Sequence, residues 1–253
     1  MTESTEAPEL ERRRSAALRR RTLRRVLPWA VIIGMFVIWE LLVRAFDVEQ
    51  FVLPAPSDIF AAGWRWRWPI LDNSWQTLWT TAIGFIIAVI IGLLGGIALG
   101  SSSLVYESFY PALIGFNSIP KVAVVPILVN VAIGIATVEP ELQDVLRALG
   151  ASHWQVIQKV GLPRSMPYFF ASLKVAITFA FVGTIVAETV AANKGIGNFM
   201  LVASSRFEVP LAFAGLLVTS VMGIGMYLVC TMVERRMTGW AMRGMDGMAQ
   251  TQM

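Results

Sequence analysis

Apolar residues in this chain come in blocks that run far longer than one buried face of a water-soluble helix. Leu27 to Phe46 is the first such block. It supplies about twenty residues, the length an α-helix needs to cross a hydrocarbon core of ~30 Å. Glu40 lies inside it, an expensive position unless the side chain faces the interior of a helix bundle. Leu78 to Leu99 is a second, uncharged block, and Gly92, Gly96 and Gly100 fall on one face of its helix. Such a face admits a second helix backbone at close range, which marks packing rather than chemistry. Tyr168 to Val190 and Leu211 to Val233 are two further blocks. The first carries Lys174 and Glu188, and a Lys194-Gly195-Ile196-Gly197 loop and an amphipathic stretch to Pro210 separate the two.

Polar positions are as informative. Residues 47–74 read as a loop containing Leu53-Pro54-Ala55-Pro56-Ser57-Asp58-Ile59. Its prolines enforce an extended entry, and Ser57 or Asp58 is placed to cap a short helix. Between Glu139 and Pro167 lies a polar island between hydrophobic blocks. Leu142, Val145, Leu146 and Leu149 stand at i, i+3, i+4 and i+7, so one helix face is apolar. Gly150 interrupts that helix, Ser152 and Gln155 form a capping box for a second, and Pro163 closes it. Helices in a membrane have no internal need of such a segment in water; it has the form of a surface gripped by another protein.

Composition agrees. Charged residues make up 15% of the chain and mean hydropathy is +0.63, against about 25% charge in soluble domains. The fold class expected is an all-α, polytopic membrane helix bundle. Eight arginines between Arg12 and Arg25 directly precede the first block, the arrangement of a cytoplasmic anchor under the positive-inside rule. Glu234-Arg235-Arg236 and Arg243 follow the last one. The expected organisation is a basic tail (1–26), a membrane domain (27–236) and a second tail (237–253), with both termini cytoplasmic. Arg20-Arg21 before an apolar stretch has the look of an export signal, but no small-residue cleavage site follows. Trp64, Trp66, Trp68 and Trp75 interleave with Arg65 and Arg67, which beside a span reads as an interfacial belt, not a nucleic-acid surface. The lone Cys230 and the lone His153 offer neither a disulfide nor a metal or catalytic site. An intramembrane protease is disfavoured because the only histidine lies in the polar island. A channel or scaffold without a docking partner is the competing class.

The island resembles the EAA loop of permease subunits in bacterial ABC importers. The acidic position is Asp144, the glycine six residues on is Gly150, and the closing pair is Leu162-Pro163; Ala151, Ser152, His153 and Trp154 complete the segment. Asp144 replaces the usual glutamate, and Val145-Leu146 replaces the usual small pair. Pro54-Ala55-Pro56-Ser57-Asp58-Ile59, Ser118-Ile119-Pro120-Lys121, Ala187-Glu188 and Gly195-Ile196-Gly197 extend the resemblance to the nitrate/sulfonate/taurine branch over most of residues 28–236. It implies a permease, not an enzyme, in the bacterial inner membrane. A second permease copy, two separate ATPase subunits and an extracytoplasmic solute-binding protein are its implied partners, and the island is the implied coupling helix. No cofactor is expected on this chain, because no G-x-x-x-x-G-K-[ST] phosphate loop occurs in it and ATP belongs to the partner. Asn117, Lys121, Asn130 and Glu188 are candidates for lining the path, Glu188 alternatively pairing with Lys194.

One stretch departs from the six-span pattern. About twenty residues expected after Val129 are missing, so the third and fourth spans are shortened. Val105 to Val138 offers 34 residues. These give about 51 Å of helix, whereas crossing twice needs about 60 Å. A single crossing strands the island outside, and a re-entrant hairpin breaking near Pro120 or Pro126 returns it to the cytoplasm. An inactive, deleted form of a six-span permease is the corresponding alternative.

Overall fold

The computed structural model describes residues 6–117, 123–136 and 140–250, and all regular structure among them is helical. Ten α-helices follow one another: α1 (Glu6–Ala45), α2 (Pro56–Arg65), α3 (Arg67–Gly100), α4 (Ser103–Asn117), α5 (Val124–Ala136), α6 (Pro140–Ala148), α7 (His153–Val156), α8 (Leu162–Ala191), α9 (Ile196–Ser205) and α10 (Val209–Gln250). A π-helical turn, Ile157–Gly161, joins α7 to α8. Four stretches among the described residues are long and apolar enough to cross a membrane: Val26–Ala45, Arg67–Gly100, His153–Ala191 and Val209–Met237. Their outward faces carry Ile86, Ile90, Leu94, Val221 and Ile224, all exposed, as expected of side chains that meet lipid.

Residues 47–74 are not a loop. They hold α2 and the beginning of α3. Neither Ser57 nor Asp58 caps α2; the capping position is Ala55, without a side-chain bond. Ser57 has a stronger acceptor on α1: its N–H donates to Glu40 Oε2 at 3.0 Å and its hydroxyl to Glu40 Oε1 at 2.8 Å. A carboxylate outcompetes the hydroxyl's own backbone because charge-assisted bonds are stronger. Arg44 pairs with the same carboxylate and donates to Ser57 Oγ at 2.8 Å, so the acid within the first span is fully engaged where α1 meets α2. At the adjoining corner the Arg67 guanidinium lies 4.9 Å from the Trp64 ring centre and 5.6 Å from that of Trp68. With Trp64, Trp68 and Trp75 all exposed, that end has the chemistry of an interfacial belt.

Helix directions follow from residue pairs. Asn73 and Thr77 of α3 bond to Gly195 and Ile196, while Ser101, just past the other end of α3, meets His153. α3 and α8 are therefore antiparallel. Ile59, Ile70, Ile196, Ala203, Leu211 and Ala214 share one core cluster, which places the start of α10 at the Gly195 end. Lys174 Nζ reaches Glu234 Oε2 at 2.8 Å farther along, so α10 runs antiparallel to α8.

The shortened segment has a definite place. Gly92 abuts Val124 and Ile127, Gly96 abuts Leu128 and Val131, and Gly100 abuts Ala132 and Ile135. α5 thus runs parallel to α3, starting beside Gly92 and ending at the Ser101 end. Its thirteen residues rise ~20 Å, short of a ~30 Å core. On the other side it packs against α8, with Gly134 at Ser165 and Gly161 at Ile135. Ile127, Val131, Ile135, Phe169, Phe170, Leu173 and Ala176 close the second core cluster there. The described chain leaves the Ser101 end through α4 and returns to it through α5.

Candidate functional site

The Ser101 end carries the polar island. α6 ends at Gly150, whose φ of +84° suits glycine and few other residues. A β-carbon there would meet nothing within 4 Å, so backbone conformation rather than space requires the glycine. Gly150 N donates to Arg147 O and Ala151 N to Leu146 O, both at 2.9 Å, which satisfies carbonyls left free at the helix end. Ser152 then caps α7 in a reciprocal box: Gln155 N donates to Ser152 Oγ at 3.3 Å, and Ser152 N donates to Gln155 Oε1 at 2.7 Å. Ser152→Ala should cost about 1 kcal/mol of local stability, seen as faster amide exchange at Gln155 with no change elsewhere in the bundle.

Pro163 does not close this second helix. α7 passes through the π turn directly into α8, with Leu162 N–H bonding back to Ile157 O. Pro163 occupies the first turn of α8, just beyond this break in the ordinary i→i−4 ladder, where a residue without an N–H is tolerated. The span that begins at Tyr168 in the hydropathy pattern is therefore one continuous helix from His153 to Ala191.

Among the described residues α6 packs only on α7. Its apolar stripe is partly uncovered: Val145 is 57% and Leu149 79% exposed, Leu142 and Leu146 are half-buried, and Trp154 of α7 is 55% exposed. Asp144 and Pro163 are likewise exposed and Leu162 is partly so. An open cavity of about 510 Å³ lies between this segment and the end of α3, lined by Ser101, Ser102, Gln143, Arg147 and His153 among others.

Between α3 and α8, beyond the start of α5, lies a larger groove of about 1010 Å³. Gln76, Thr80 and Gly84 line one wall, Gly183, Thr184 and Glu188 the other, and Ala123 and Val124 border it where α5 begins. Glu188 is 4% exposed. It does not pair with Lys194, because nearer donors hold it: Thr77 Oγ1 lies 2.8 Å from Oε1, and Gly197 N donates to Oε2 at 3.0 Å. Ile196 N donates to Thr77 Oγ1 and Gly195 N to Asn73 Oδ1, each at 2.9 Å. Three consecutive N–H groups at the start of α9 are thus bound by side chains of two spans. Asn130 Nδ2 donates to Pro126 O at 2.8 Å within α5. Lys121 and the side chain of Asn117 lie outside the described residues. No group of three or more metal-binding side chains occurs among the described residues.

Several partners were missed by sequence reasoning: Thr77 for Glu188, Asn73 for Gly195, Ser57 for Glu40, Glu234 for Lys174. For the first the signal was present, since Asn73, Thr77 and Thr81 repeat at four-residue spacing in an otherwise apolar helix.

Comparison with known proteins bears on the whole chain. Residues 13–239 match the family described as "Binding-protein-dependent transport system inner membrane component". The bicarbonate transport system permease protein of Synechococcus elongatus is 31% identical over 214 residues, covering 69% of this chain and 76% of that protein. A nitrate import permease protein of the same species is 26% identical, covering 74% and 80%. The putative aliphatic sulfonates transport permease protein of Bacillus subtilis is 23% identical, covering 95% and 98%. That last alignment runs over 278 residues, more than this whole chain of 253, so the relative carries residues that this chain lacks. The helical bundle, its apolar spans and the family match together place the chain: it belongs to the binding-protein-dependent ABC importers as a multi-pass, inner-membrane permease component.

Proposed function

We propose that this permease subunit couples solute entry to a separate ATPase through the segment from Pro140 to Pro163, and that its solute is a small anion such as nitrate, a sulfonate or taurine, or a related molecule. The observation that carries the coupling reading is the partly uncovered apolar stripe of α6, held at the Ser101 end by a glycine turn and a capping box. An apolar face that its own bundle leaves bare marks a protein or membrane contact, and its place within a polar island favours a protein. The re-entrant course of α4 and α5 supports a cytoplasmic location for it: with the N-terminal arginines inside, α1 leads out, α3 leads back, and the island emerges on the side of both termini. The nitrate, bicarbonate and sulfonate relatives favour a small anion, against riboflavin and formylaminopyrimidine relatives that favour a larger solute. The groove between α3 and α8, largely apolar with Gln76, Thr80, Thr184 and Glu188 in its walls, is the candidate path. A second permease copy and an extracytoplasmic binding protein complete the proposed assembly.

Two measurements test this. With Cys230 replaced by serine and Ser152 by cysteine, a membrane-impermeant thiol reagent should label opened cells and spare intact ones; labelling of intact cells would sink the docking reading. Leu149→Asp should reduce co-purification of the ATPase subunit at least tenfold while the permease still elutes as a single species. Equal recovery would count against α6 as the docking face.

A second reading rests on α5. Because it fills only part of the interface between α3 and α8, the chain docks its ATPase but conducts poorly. Reinserting about twenty apolar residues after Val129, enough for the missing ~30 Å of helix, should then raise solute uptake. Unchanged uptake speaks for the shortened chain as a working permease.

A further inference from the structure

His153 Nε2 lies 2.6 Å from the carbonyl oxygen of Ser101. A carbonyl only accepts, so the bond requires a hydrogen on Nε2. Ser101 follows the last turn of α3, where carbonyls lack helical partners, and its own N–H and hydroxyl are already used on Ile97 O and Ala98 O. His153 is the first residue after the Ser152 cap, so the reciprocal capping box fixes its backbone.

The surroundings give this bond its importance. Neither α6 nor α7 packs against α3 among the described residues; α6 touches α7 alone, and α7 is attached through the π turn to α8. The imidazole is thus a direct side-chain tie from the docking segment to the end of α3, across the open cavity between them. α3 and α8 are also the two walls of the larger groove. Through the π turn a displacement of α7 reaches one wall; through His153 it reaches the other.

We infer that His153 is a positioning residue that pins the docking segment to α3, so that movement imposed at α6 and α7 is delivered to both walls of the groove. This deepens the docking reading above and rests on it. With the pin removed, the docking segment reaches α3 only indirectly, through α8 and α5.

Because His153 is the only histidine of the chain, selective ¹⁵N-histidine labelling reports on this ring alone. The unmodified protein in detergent should show a protonated, hydrogen-bonded Nε2; an Nδ1–H tautomer, or averaging as in free imidazole, overturns the proposal. In a Cys230→Ser background, spin labels at Leu94 on α3 and Ala148 on α6, both exposed, measure the separation directly. A single narrow distance distribution is expected for the unmodified chain. His153→Ala should at least double its width, and His153→Gln, which offers an amide N–H at similar reach, should restore it. A His153→Ala distribution as narrow as the parent's overturns the pin. Neither measurement involves the partner, so failure of the ATPase to co-purify with the unmodified chain overturns the docking reading alone.

Discussion

Gly96→Ala is expected to loosen α3 from α5 and lower the thermal unfolding midpoint in detergent, whereas Gly84→Ala in the same helix should leave it unchanged or raise it. Two opposing terms decide the sign. Alanine in a helix interior is favoured over glycine by roughly 0.5–1 kcal/mol. At Gly84 nothing lies within 4 Å of the added carbon, so that gain stands alone. At Gly96 the carbon would sit 2.6 Å from Val131 Cβ and 2.8 Å from the Leu128 carbonyl oxygen. Overpacking of this kind costs about 1–3 kcal/mol. One of the two obstacles is backbone, which no rotamer change moves aside, and α5 cannot retreat because Gly134 already sits against Ser165 of α8. The loss therefore wins. Lipid makes it worse: spans are held by close packing and not by exclusion of water, so a small separation forfeits much of the attraction. Gly96→Val should be more severe still, with little folded protein recovered. Equal midpoints for Gly96→Ala and Gly84→Ala would show that α5 does not lie on the glycine face.

That face was legible in the sequence because one residue type at four-residue spacing has a single geometric meaning on a helix. The polar island was legible for the same reason, in its amphipathic period, its positive-φ glycine and its capping box. What the pattern misjudged was Pro163. Proline ends a helix by default, and only the π turn, a matter of hydrogen-bond register that leaves no mark in composition, lets α7 run on into α8. Helix partners were harder. Glu188 and Lys194 are close in sequence and opposite in charge, yet the carboxylate is held by Thr77, which lies over a hundred residues away and nearer in space. Ser57 had the spacing of a cap and bonds to Glu40 on another helix instead. In both cases a local rule gave way to a tertiary acceptor or donor. The shortened segment shows the reverse. Length alone left one crossing, two crossings or a re-entrant course open, and the structure adds that α5 lies against the glycine face and runs parallel to α3.

The junction around Glu188 allows a sharper test, because two single substitutions that each damage it should damage it less than additively. Glu188→Ala removes the acceptor for Gly197 N–H and the partner of Thr77. Thr77 keeps the Asn73 carbonyl as an acceptor at 3.1 Å, but the buried Gly197 donor is left unpaired at a cost of about 1–3 kcal/mol. The site lies where α3, α8 and α9 meet, so the midpoint should fall. Glu188→Gln keeps an oxygen for Gly197 and should lose less. Gly195→Ala acts on the same place by another route. Its φ of +111° is disfavoured for any side chain, a strain of about 1–3 kcal/mol. Its new carbon would also run into the Glu188 carboxyl group, which has no room to yield while Thr77 and Gly197 hold it. In the double variant Glu188→Ala/Gly195→Ala the obstacle is gone. Only the backbone strain then adds to the loss of the carboxylate, and the combined destabilisation should fall short of the sum of the two single effects by at least about 1 kcal/mol, the coupling typical of residues in direct contact. Thermal unfolding of the four proteins in one detergent measures this cycle. Strict additivity would mean that the glycine loop does not close over Glu188.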